Sequence, residues 1–233
     1  MRVTRSVVCV LVSLMCILVL GAVTGCQKAY YDALEAVGFE KREMLVDRSE
    51  ELRDTLHLVK TEFGVAFSRL GTIVQPDALA PDQQYEQAQV LYDSCEDRYD
   101  ELRKGIEKTE DVANALFEDW IEQTTQHPEG SMRAASQKRL DETREAFRTM
   151  MRPVRSASDR VPPVLSALEQ HVMHLKLNQS PQASENVIAE LDRSQTDLQA
   201  LLDHAQTAID ATNGFIHSMS RQVHKQRTEP QEQ

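Results

Sequence analysis

The chain has 233 residues with 26 basic and 37 acidic side chains, a net charge of −11, and only 5% aromatic residues. A body this acidic argues against nucleic acid as a partner and against broad adhesion to anionic headgroups. Sparse glycine and proline, with Glu, Gln, Ala, Leu and Arg abundant, is helix composition.

The first element is a leader. Arg2 and Arg5 are the only charges before residue 26, and Val7 to Leu20 is an almost wholly apolar run. That run has the length of a signal-peptide core and falls short of the roughly 20 residues a membrane-spanning helix needs. Small residues follow, and Val23-Thr24-Gly25-Cys26 resembles the bacterial lipobox: an aliphatic residue, two small ones, then a cysteine that receives lipid. The resemblance implies removal of residues 1–25 and triple acylation of Cys26, a durable anchor where a single chain would bind only marginally. Gln27 stands where lipoproteins kept at the inner membrane usually carry Asp, which implies the periplasmic face of the outer membrane. Without residues 1–25 the chain loses two arginines and no acid, leaving 24 basic and 37 acidic residues and a net charge of −13.

Residues 26–39 form the expected anchor segment. Tyr30, Leu34 and Val37 are helically spaced but out of phase with the apolar stripe that begins at Leu45, so a short helix over about 28–37 is expected to bend at Gly38.

From residue 40 to 225 the pattern is one of long helices, with no convincing strand alternation. The first seam reads Leu45, Ser49, Leu52, Leu56, Val59, Phe63, Ala66, Leu70, Ile73, and ends at Pro76. The second opens after Pro81-Asp82 and reads Ala88, Tyr92, Cys95, Tyr99, Leu102, Ile106, Thr109, Ala113, Leu116, Trp120, stopping at His127-Pro128-Glu129-Gly130. The third reads Ser136, Leu140, Thr143, Phe147, Met150, Val154, Ala157, Val161, Val164, Leu168, His171, Leu175. The fourth begins at Ser180-Pro181 and reads Ile188, Leu191, Gln195, Leu198, Leu202, Ala205, Ile209, Thr212, Ile216, Met219, Val223. Strict 3-4 spacing over several heptads specifies left-handed helix packing. Short connections make successive helices antiparallel, so the expectation is an all-α, elongated antiparallel bundle of about four long helices, with residues 226–233 as a disordered tail. A narrow bundle buries little per residue, which leaves room for a homodimer along an exposed stripe.

The third span carries Pro153 and Pro162-Pro163, yet its seam keeps phase through both. A kinked continuous helix is the favoured reading, with a break near Val161 as the alternative.

No chemistry-bearing constellation emerges. Glu-x-x-His, the mark of di-iron bundles, is absent; Asp54 and His57 have that offset once, off the seam. His171 and His174 lie three apart without further ligands, and His217 and His224 have no spaced acidic partner, so neither a metal nor a cofactor is expected. Once the leader is gone and Cys26 acylated, Cys95 is the one thiol left. Its seam position between two tyrosines makes it a small buried hydrophobe, not a nucleophile. No nucleophile elbow, phosphate loop or calcium loop occurs, so no catalytic residue is expected. The acids from Glu96 to Glu122 occupy non-seam positions, as on a solvated helix face that could also receive a basic partner. Lys41, Arg42 and Arg48 could meet headgroup phosphates or pair with neighbouring acids.

The stretches GCQKAYYDALEAVGFEKREMLVDR, ALFEDW and VMHLKLN resemble an uncharacterised family of bacterial lipoproteins, catalogued as a domain of unknown function. Gly25-Cys26, Tyr30-Tyr31, Lys41-Arg42 and Leu45-Val46-Asp47-Arg48 carry the likeness, which covers essentially the whole mature chain. It implies an envelope location and a helical body and carries over no activity or site. The functional expectation is a lipid-anchored, non-enzymatic scaffold or adaptor for another envelope component. The alternative is a ligand-handling or catalytic protein using a cleft at the proline-bearing third helix.

Overall fold

The computed structural model describes residues 40–75, 78–126, 130–177 and 181–228. Cys26, the leader, the short helix expected over 28–37 and the last five tail residues lie outside the described residues. The chain divides into two units, and the helical body is the second, Arg42–Gln233.

Every described element is a helix: α1 (40–73), α2 (Pro81–Gln126), α3 (Ser131–Ser158), α4 (Val161–Leu177) and α5 (Pro181–Thr228). At a rise of 1.5 Å per residue, the 46-residue α2 and 48-residue α5 are each about 70 Å long. With α3 and α4 counted as one interrupted rod, the body is a four-helix, all-α bundle.

Register between neighbours runs in opposite directions. Ser94 of α2 bonds Glu62 of α1, the Thr109 hydroxyl sits 3.4 Å from the Arg48 carbonyl, and Trp120 lies under Arg42. Residue numbers rise on one helix as they fall on the other. The same holds for α2 against α3 and α4 (Trp120 with Ser136, Glu110 with Arg155, Tyr85 with Lys176). It holds again for α3 and α4 against α5 (Phe147 with Phe215, Ser156 with His204, His171 with Ser194). Lys60 of α1 bonds Gln206 of α5 and closes the ring of helices. The topology is up-down-up-down.

The seams supply the core. All nine seam positions of α1 are buried, and so is every seam position from Leu140 to Leu175 on α3 and α4. Burial of each Leu, Val or Phe stabilises by about 1.5–3 kcal/mol relative to exposure. Phe147 stands edge-on to both Phe117 and Phe215, with ring centroids 5.9 Å apart in each pair, tying α2, α3 and α5 together. Five hydroxyls are buried among the described residues, those of Ser49, Thr109, Thr124, Thr143 and Thr212. Four of them donate to the carbonyl four residues back on their own helix, and Thr124 bonds Ser136 on α3.

On α5 the seam differs by one place. Leu191, Leu198, Ala205, Thr212 and Met219 keep their inward positions, but the positions between them are Val187, Ser194, Leu201, Ala208 and Phe215. Gln195 is exposed and Leu202 half-buried, while Ile209 and Ile216 stay buried beside the new set. The inward face therefore widens toward the C-terminal half of α5.

The third rod combines both readings of its prolines. It breaks: α3 ends at Ser158, Asp159 and Arg160 form a turn, and α4 begins at Val161. Pro162 and Pro163 then fall in the first turn of α4, where N–H groups have no helical acceptor anyway. Phase is kept because Asp159 remains right-handed helical (φ −66°, ψ −18°), and the Asp159 and Arg160 N–H groups donate to Arg155 and Ala157. Pro153 stays inside α3, and the carbonyl it leaves without a donor belongs to solvent-exposed Thr149.

Gly130 begins α3 with φ 149° and ψ −165°, a conformation essentially reserved for glycine. No side chain caps this helix start.

Candidate functional site

Three places concentrate polar chemistry: one end of the bundle, the outer face of α2, and the opposite end where α4 meets α5.

At the first end, Arg42 is 8% exposed and its guanidinium carbon lies 4.2 Å from the Trp120 ring centroid. Trp120 Nε1 donates to Ser136 Oγ at 3.1 Å, and that hydroxyl lies 2.9 Å from Thr124 Oγ1. The cluster joins the start of α1, the end of α2 and the start of α3. Arg42, one of the three cations expected to meet headgroups or pair with acids, is thus buried over the indole. Arg48 pairs with Glu51 on its own helix.

Along α2 the acids are solvated. Asp93, Asp97, Asp100, Glu107, Asp111 and Glu118 are all exposed at 3-4 heptad spacing, in a row that also includes Lys104 and Asn114 and ends at exposed Glu122. At 1.5 Å per residue the row is about 44 Å long. Asp100 pairs with Arg103, whereas Asp97, Glu107, Asp111 and Glu118 have no ion-pair partner among the described residues. Beside this row, Arg48, Glu51, Glu101, Lys104 and Lys108 line a groove of about 210 Å³ between α1 and α2. A larger surface groove of about 620 Å³ lies farther along the same helix pair, walled by Arg69, Ile73, Glu86 and Val90. Neither groove lies at the α3–α4 interruption. There Val154, Ala157, Val161 and Val164 are buried in unbroken sequence, so the seam is packed straight across the prolines.

At the opposite end His171 is buried between α4 and α5, with Ser194 and Glu190 as its polar neighbours. His174, three residues on, is half-buried. Among the described residues no group of three or more His, Cys, Asp or Glu side chains converges as a metal site. Asp54 pairs with Arg53, and His57, His217 and His224 are exposed.

Cys95 is fully buried, and burial, with a smaller effect from Glu62, pushes its thiol up to about 12. A thiol held protonated is a weak nucleophile. Desolvation first, then the hydrogen bond to Glu96, likewise lifts the Tyr92 phenol to about 12.

Two seam residues escaped sequence reasoning. Arg42 lies three positions before Leu45 and Gln84 four before Ala88, so each seam extended one step back reaches a buried polar residue. The periodicity located both; residue type hid them.

The family model described as "Protein of unknown function (DUF2959)" matches residues 30–219. The chain belongs to the DUF2959 family. The match spans the described body of this DUF2959 protein almost end to end, from ahead of α1 to Met219 of α5. No curated protein matches the chain significantly. No helix among the described residues is long and apolar enough to cross a membrane.

Proposed function

We propose that this DUF2959 protein is a lipid-anchored, non-enzymatic adaptor of the bacterial envelope, tethered through Cys26 to the periplasmic face of the outer membrane. Its rigid bundle holds an acidic face toward a basic segment of another envelope protein. The observation that carries the adaptor reading is the exposed row from Asp93 to Glu122 on α2, four of whose carboxylates lack an ion-pair partner among the described residues. Unpaired charge at regular spacing on a stiff helix steers and registers a partner of opposite sign. The anchor reading is supported by the leader and the lipobox-like run ending at Cys26.

Two experiments test the two halves. A photoreactive residue at exposed position 104 or 114 of the same row, in cells, should capture the same partner reproducibly, and reversing Asp97, Asp111 and Glu118 to lysine should abolish capture. No reproducible product from either position overturns the adaptor reading. Metabolic labelling with a fatty acid should mark the wild type and not Cys26→Ala; equal labelling of both rejects the anchor.

A further inference from the structure

The far end of the bundle holds a buried titratable ring that the adaptor reading does not use. His171 is 2% exposed, and its surroundings on α4 are Leu168, Val172 and Leu175. Ser194 Oγ donates to the Glu190 carbonyl at 3.1 Å and lies 3.4 Å from His171 Nε2. His171 Nδ1 has no hydrogen-bond partner among the described residues and sits 3.5 Å from Glu190 Oε2. A second proton on the ring would create an ion pair with Glu190 but put a cation in an apolar seam, and burial outweighs the carboxylate in holding the ring neutral.

Other ionisable groups lie on the helices around this end. His174 lies on α4 itself and opposes a charge on His171. From α2, Tyr85 lies under the Lys176 ammonium and Tyr92 donates to Glu96. Arg69 of α1 lies in the outer groove with Glu86.

We propose that α4, with the stretch of α5 from Val187 to Leu198, is an acid-opened latch: a proton on His171 loosens this segment while the rest of the bundle stays folded. The turn at Asp159–Arg160 separates α4 from α3, so the disturbance has a boundary. Opening uncovers Leu168, Val172 and Leu175 next to Met173 and Leu177, which are already 46% and 71% exposed. The result is a continuous apolar surface at one end of the protein. Only the biological sense of the latch rests on the envelope reading, since that compartment is open to external protons.

The test is amide exchange of the purified full chain between pH 7.5 and 5.0, expressed as protection factors. The folded-state proton affinity of His171 lies below the ordinary histidine value of about 6.5, so protection is complete above that pH and falls as pH drops below it. The opening constant of α4 and residues 187–198 should rise by up to about tenfold per pH unit, while the middle of α1 and α2 holds. His171→Leu should flatten this response. A flat wild-type profile, equal loss in every helix, or an unchanged profile in His171→Leu overturns the proposal. Should His171→Leu not fold, Glu190→Gln provides the second arm. Without the carboxylate that favours the charged ring, the loss should extend to lower pH, and an unaltered profile overturns the latch. None of these measurements depends on where the protein resides or on its anchor.

Discussion

Arg42 lies over Trp120, its guanidinium carbon 4.2 Å from the ring centroid, buried inside one end of the bundle. A guanidinium desolvated against an indole face is worth about 2 kcal/mol, against 0.5–1 for an exposed pair. Arg42→Ala should therefore destabilise by about 1–2 kcal/mol, and each kcal/mol lowers the melting temperature by about 2–4 °C in a domain of this size. Trp120 is the single tryptophan, so its emission reports the site directly and should shift to the red. Arg42→Lys keeps the charge but not the plane, and should fall between. A variant indistinguishable from wild type in both signals would show that the stack contributes nothing.

Phe147 is the aromatic hub between Phe117 and Phe215. Phe147→Ala should cost about 3–5 kcal/mol by leaving a cavity. In a double-mutant cycle with Phe215→Leu, the coupling should come to about 0.5–1.5 kcal/mol by denaturant titration. Additive losses would reduce the ring pair to independent burial.

Cys95 should be almost inert to thiol reagents in the native protein at pH 8, because the thiol is buried and held protonated up to about 12. Its modification rate should track unfolding and rise with denaturant. Rapid native-state labelling would contradict the packing of α2 against α1. Folded-state burial raises this thiol's proton affinity, so its contribution to stability is whole below the unfolded value of about 8.5 and declines above it.

Two glycines should answer the same substitution with opposite signs. Gly130→Ala places a Cβ at φ 149° and should cost about 1–3 kcal/mol, although no neighbour crowds the site. Gly64→Ala, inside α1 with open space around the new methyl, should stabilise by about 0.5–1 kcal/mol. Thermal melts of the two variants decide the matter.

The antiparallel bundle was legible because its heptads are unusually strict: in α1, Leu52 and Leu56 have only polar neighbours in sequence to compete with for the inward face. On α5 two stripes compete. Val187 against Ile188, Leu201 against Leu202, and Phe215 against Ile216 are apolar pairs that periodicity cannot rank, and only neighbouring helices choose between them. Ser194 faces inward instead of Gln195 because it meets His171, a contact between residues 23 apart that no local pattern reveals. Arg42 shows the converse. Its position was periodic, but a charged side chain enters a seam only when a partner such as Trp120 waits there, and that pairing exists only in three dimensions. The proline-bearing rod was ambiguous for a physical reason. An unbroken heptad and a broken hydrogen-bond ladder are compatible when the intervening residues keep helical backbone angles.

That compatibility makes the count of residues at Asp159–Arg160 more important than their identity. Each residue advances a helix by about 100°. Deleting or adding one here would rotate α4 about its axis by that amount relative to α3, swinging Leu168, His171 and Leu175 away from α2 and α5. Sequence drift at this exposed turn is cheap, whereas a change of length there would unlock one whole end of the molecule.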